Sequence, residues 1–199
     1  MARGVTLCTL EVPVGVSESL EAIGCNVVLE EEGRWVGVRS PFYWDVGFTK
    51  MTQVIMVREV EHLSSADLDV DLTWLQDNAS SLDPSSLPRG FQKGIGVMAF
   101  YHAKTADPDA VARLSSKQKM AFASFFYPAG VVGGELKMLT STPMWGAAYF
   151  GKFRWLAKKV LTGQGPEKEP ISWMLPIVLG MCFGAPVLVF LCGGIASML

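Results

Sequence analysis

The stretch "SSADLDVDLTWLQDNA", residues 64–79, decides the fold class. Asp67, Asp69, Asp71 and Thr73 alternate with Leu68, Val70, Leu72 and Trp74, the period of a half-buried strand. The same residues set Leu68, Leu72, Leu75 and Ala79 along one helical stripe, and aspartate fits strands poorly. We read a helix. It stands among strand-like runs, so the body is expected to be α+β.

Working outward, "NVVLEEEGRWVGVRS" (26–40) predicts two strands around a turn at Glu32–Gly33. "MTQVIMVREV" (51–60) and "KGIGVMAFYHA" (93–103) have the composition of buried strands. "AFASFFYPAGVVGGELKMLTS" (121–141) predicts a hairpin turning at Gly133–Gly134, with Pro128 marking an edge or a bulge. Two shorter helices are expected. One lies in "SESLEAIG" (17–24), capped by Ser17 and stopped by glycine. The other starts at Asp107 as N-cap with Pro108 at its first position. Together these predict a largely antiparallel sheet with a few helices, ferredoxin-like topology being the specific candidate. The Ser/Pro-rich residues 77–93 are expected to form a long loop.

The chain changes character near its end. It carries 17 Lys and Arg and 19 Asp and Glu, none of them among the 29 residues 171–199, "ISWMLPIVLGMCFGAPVLVFLCGGIASML". A helix of that length measures about 43 Å at ~1.5 Å per residue, enough for one tilted or kinked span of a hydrocarbon core of ~30 Å. Pro176 and Pro186 are tolerated in such a helix; a re-entrant hairpin at Gly184–Pro186 is the competing geometry. Lys152, Arg154, Lys158, Lys159 and Lys168 precede the span and nothing basic follows, which predicts a body on the cytoplasmic side. Trp173 suits the interface, and Gly180 with Gly184 forms a helix-packing G-x-x-x-G.

"MWGAAYFGKFRWLAKKVL" (144–161) lines Tyr149, Phe153, Leu156 and Val160 along one face, with Lys152, Arg154, Lys158 and Lys159 around it. Two placements compete. As an interfacial helix, Tyr149, Lys152, Phe153, Arg154, Leu156, Lys158, Lys159 and Trp173 would touch the membrane. Otherwise the apolar face packs on the domain's own sheet. The expected organisation is a body over residues 1–143, a basic juxtamembrane helix over 144–161, a polar linker over 162–170 and an anchor over 171–199.

Chemistry-bearing motifs are sparse. Residues 1–90 hold 14 acidic and 6 basic side chains, and 91–199 hold 5 and 11, which argues against a nucleic-acid binder. Cys8, Cys25, Cys182 and Cys192 form no C-x-x-C, so neither a zinc site nor a disulfide framework is expected. "DLDVDL" lacks the glycine of a calcium loop, and "GIGVMA" (94–99) follows no strand and opens no helix, as a dinucleotide fingerprint requires. The opening "MARGVTLCTLEV" lacks the apolar core of a signal peptide. His102 is the one catalytic candidate, and no cofactor or metal is implied.

Two functions follow. The preferred one is a single-pass membrane protein whose body is an interaction or accessory module. Its partners would be the lipid bilayer and other membrane subunits, or a second copy through the span. The alternative is a tethered enzyme or ligand-binding domain for an apolar molecule. An enclosed apolar cavity opening toward His102 favours the alternative; a packed sheet face at Phe100, Phe122, Phe125 and Phe126 favours the module.

Overall fold

The computed structural model describes residues 15–46, 49–83, 93–116, 124–141 and 147–171. A seven-stranded mixed sheet forms the middle layer. Its strands are β1 (Asn26–Glu31), β2 (Arg34–Arg39), β3 (Phe42–Tyr43), β4 (Thr49–Leu63), β5 (Lys93–Ala106), β6 (Ser124–Val132) and β7 (Glu135–Met138). Four helices cover it: α1 (Val16–Ala22), α2 (Ser65–Asn78), α3 (Pro108–Ser115) and α4 (Ala147–Thr162), with a 3-10 turn at Trp44–Val46.

The strand order is β1-β2-β4-β5-β6-β7, with the short β3 paired to β4. The outer pairs are antiparallel, but β4 with β5 and β5 with β6 are parallel. The expected antiparallel, ferredoxin-like sheet is thus corrected to a mixed one. The cause is the pair of helices themselves. A 14-residue helix such as α2 spans about 21 Å and carries the chain part of the way back along β4; β5 then starts opposite Lys50 and runs in the same direction. α3 does the same between β5 and β6. Both lie on one face, as the fixed hand of such crossovers demands.

Residues 65–78 are helical because burial follows the helical stripe. Leu68, Leu75 and Ala79 are buried, whereas Val70, on the competing alternation, is 66% exposed. Ser64 caps the helix reciprocally: its hydroxyl accepts from the Asp67 amide, and the Asp67 carboxylate accepts from the Ser64 amide. At α1 the expected Ser17 cap is not used. Gly15 takes the N-cap position without a side-chain bond, and Ser17 donates to Glu30 instead.

Alternation through β4 and β5 divides the core in two. Met51, Ile55, Val57, Met98 and Phe100 face α1 and α4. Val54, Met56, Ile95, Val97 and Tyr101 face α2 and α3. Burial on both sides explains why these strands read as continuous apolar runs. Pro128 pairs opposite Ala99 in the β5–β6 ladder and stands one residue beyond the β6–β7 ladder, where its missing N–H costs nothing.

α4 settles where its apolar face goes. Tyr149, Phe153, Leu156 and Val160 are all buried against the sheet, with Phe153 ringed by Phe125, Tyr127, Tyr149 and Phe150. Tyr149, Phe153 and Leu156 are therefore core residues, a correction to the interfacial placement. A sheet of this size needs a cover on both faces, and α4 supplies it. No helix among the described residues is long and apolar enough to cross a membrane. Trp173, Gly180, Gly184 and Phe122 lie outside the described residues.

Candidate functional site

Two regions collect polar side chains, one at each end of the parallel strands. At the end where β4 begins, Tyr43 lies between α1, the sheet and the segment after α4. Its hydroxyl donates to Glu169 Oε1 at 2.6 Å and accepts from Gln53 Nε2 at 2.8 Å. Arg39 donates to Glu169 Oε2 at 2.7 Å and to the Ile23 carbonyl at 2.7 Å. Burial works against the Arg39 charge, but Tyr43 and Glu169 overcome it and raise its pKa. Burial pushes the Tyr43 hydroxyl well above the usual tyrosine range, so it remains a donor.

Beside this cluster, Lys152 Nζ lies 3.0 Å from Asp45 Oδ2, with both residues buried. The ammonium also donates to the Pro170 carbonyl at 2.9 Å and sits 4.4 Å from the centre of the Tyr43 ring. Trp155 Nε1 donates to the Pro166 carbonyl at 2.9 Å. Residues 166–170, within the segment read as a polar linker, are thus a strap fastened along α4 and over β3. On the other face, Lys93 and Asp83 form a buried pair at 2.6 Å, and Thr52 donates to Asp83 at 2.7 Å. That pair pins both ends of the expected long loop; residues 84–92 between them lie outside the described residues.

At the opposite end, an open groove of about 910 Å³ lies over the C-terminal ends of β4, β5 and β6, lined by Glu32, Glu59, Glu61, His102, Lys104 and Thr162 among others. Ligands of open α/β sheets usually sit at this end. His102 stands beside Glu59 in the parallel register. Burial lowers its pKa, partly opposed by Glu59, so the ring is neutral at pH 7. Its Nε2 is buried with no hydrogen-bond partner among the described residues. Lys104 is occupied by Glu61 at 2.8 Å, and the Thr162 hydroxyl donates to the Lys158 carbonyl. The groove offers one neutral imidazole among carboxylates, without a nucleophile directed at it among the described residues.

The remaining expected interface residues separate. Lys158 is exposed, and Arg154 and Lys159 are half-buried on the outer side of α4. Lys152 is inside, neutralised by Asp45. Arg39, Tyr43, Asp45, Gln53 and Glu169 were missed by sequence reasoning, since single polar residues up to 130 positions apart form no local pattern. Comparison with known proteins finds no family model, curated protein or solved structure that matches this chain.

Proposed function

We propose that the chain is a single-pass membrane protein, anchored through residues 171–199, whose α+β body serves as a cytoplasm-facing accessory or interaction module of a larger membrane assembly. The observation that carries this is the strap. Glu169 and Pro170 are clamped to Arg39, Tyr43 and Lys152 immediately before 29 residues without a charge. Such clamping couples the body stiffly to whatever follows, which suits a subunit that must present a surface in fixed orientation. A flexible tether would leave it free to swing.

The module is favoured over the tethered enzyme by the sheet face itself. Phe100 is fully buried, and Phe125 packs against Tyr149 and Phe153, so among the described residues that face is filled by side chains. The groove beside His102 is open, unlike an apolar ligand's enclosed site. Protease added to intact vesicles tests the orientation. An N-terminal epitope should be digested while the span stays protected; a protected epitope contradicts the cytoplasmic placement.

A further inference from the structure

We propose that Thr105, His62 and Asp107 form a nucleophile–base–carboxylate triad at the C-terminal ends of β4 and β5, one that accepts the acyl group of an activated ester. This goes beyond the module proposed above and does not depend on the membrane span.

The parallel register sets His62 directly across from Thr105. Tyr101 and Ala103 face α2 and α3, so by alternation Thr105 leaves the sheet on that face, opposite to His102. His62 Nδ1 lies 2.8 Å from Thr105 Oγ1, and its Nε2 lies 3.1 Å from Asp107 Oδ1. Asp107 is the N-cap residue of α3, where an aspartate ordinarily bonds the first helical amides. Here it makes no such bond and holds the imidazole instead.

This arrangement fixes the direction of each hydrogen bond. A carboxylate only accepts, so Nε2–H donates to Asp107 and Nδ1 of the neutral ring is left as an acceptor. The Thr105 hydroxyl donates to it in preference to the Glu61 carbonyl, which lies 3.3 Å away, outside the usual O–H···O range. A hydroxyl on a carboxylate-oriented imidazole is an activated nucleophile. Thr105 and His62 are both exposed, so a substrate reaches them from solvent. The amides of Asp109 and Ala110, in the first turn of α3, have no acceptor within the helix and none on the N-cap side chain. They supply N–H donors for an oxyanion.

In the reaction, Thr105 Oγ bonds to the ester carbonyl carbon while its proton passes to His62 Nδ1. The tetrahedral oxyanion then collapses, breaking the bond to the leaving alcohol, which takes that proton. Water repeats both steps on the threonyl ester, releasing the acid and restoring the hydroxyl. The surrounding charge selects a neutral acyl group over a phosphoryl group. Asp107 is joined by Asp67, whose pKa is lowered first by the Ser64 hydroxyl and least by the His62 charge. Lys104 is held by Glu61, and Arg113 by Asp69 and the Ser65 carbonyl.

Full-length protein in detergent, supplied with p-nitrophenyl acetate and quenched in acid, tests the triad. Nitrophenol should be released above the buffer rate, and the tryptic peptide 105–113, whose one hydroxyl side chain is Thr105, should carry acetyl. Thr105→Val and His62→Gln should each lower release at least about 100-fold and remove the adduct, and Asp107→Asn should slow it as well. Thr105→Ser keeps the hydroxyl and should retain both release and adduct, which separates loss of the nucleophile from loss of the fold. Release that survives Thr105→Val but not His62→Gln makes His62 a lone surface imidazole and overturns the triad. No release above buffer, or release unchanged in both variants, overturns it too.

Discussion

Lys152 Nζ lies 3.0 Å from Asp45 Oδ2, with the two side chains only 5% and 4% exposed. A lysine that the sequence places on a basic helix flank is thus the internal counter-ion of a carboxylate on a 3-10 turn. Removing it alone strands a buried charge, at a cost of about 3–5 kcal/mol, whereas removing both charges costs far less. Lys152→Met should therefore destabilise strongly, and Asp45→Leu in the same chain should restore most of the loss. Denaturant unfolding of the two variants checks this; equal stability of the single and double variants would mean the pair is not coupled.

Tyr43→Phe should loosen the strap. The hydroxyl bonds a carboxylate at 2.6 Å and a glutamine amide at 2.8 Å, and the bond to the charged partner is worth about 1.5–3 kcal/mol. Faster tryptic cleavage after the exposed Lys168, with a lowered melting temperature, is the expected outcome. Unchanged cleavage would show that Arg39, Lys152 and Trp155 hold the strap without Tyr43.

The two faces of α4 should respond oppositely. Phe153→Ala empties a site in the middle of an aromatic cluster and should cost about 3–5 kcal/mol. Lys158→Gln with Lys159→Gln should stay within about 0.5 kcal/mol per site. Thermal unfolding of both variants distinguishes a core helix from a surface one.

How much of this was visible in the sequence depends on how local each signal is. Both hairpins were legible because Gly33 adopts a positive φ of 71° and the Gly133–Gly134 pair does likewise, a backbone state that glycine advertises. Asp107 and Pro108 announced α3 for the same kind of reason. The parallel centre was also within reach: a helix lying between two apolar runs is a crossover, and antiparallel pairing overlooked that. Nothing local distinguishes Lys152 from Lys158 before the fold exists, because only the third dimension brings Asp45 to one of them. The buried Cys25 thiol, pushed up to about 12 by burial, is legible only as an inert core residue once its neighbours are known.

His102 links stability to pH. Burial lowers its folded pKa below the ordinary 6.5, so unfolding allows the ring to take up a proton once the pH falls below that value. Its contribution is complete above pH 6.5 and fades as the pH drops from there toward the folded pKa. His102→Gln should flatten the stability profile across that interval. A wild-type profile that is unchanged by the substitution would mean the imidazole is already solvated.

The central claim is that the body is a folded unit bound to a membrane through residues 171–199. Flotation of the full chain with liposomes, compared with a chain lacking residues 172–199, tests it most directly. The full chain should float and resist alkaline carbonate, while the shortened one should remain at the bottom of the gradient, folded and soluble. A shortened chain that still floats, or a full chain that carbonate strips away, would contradict the account.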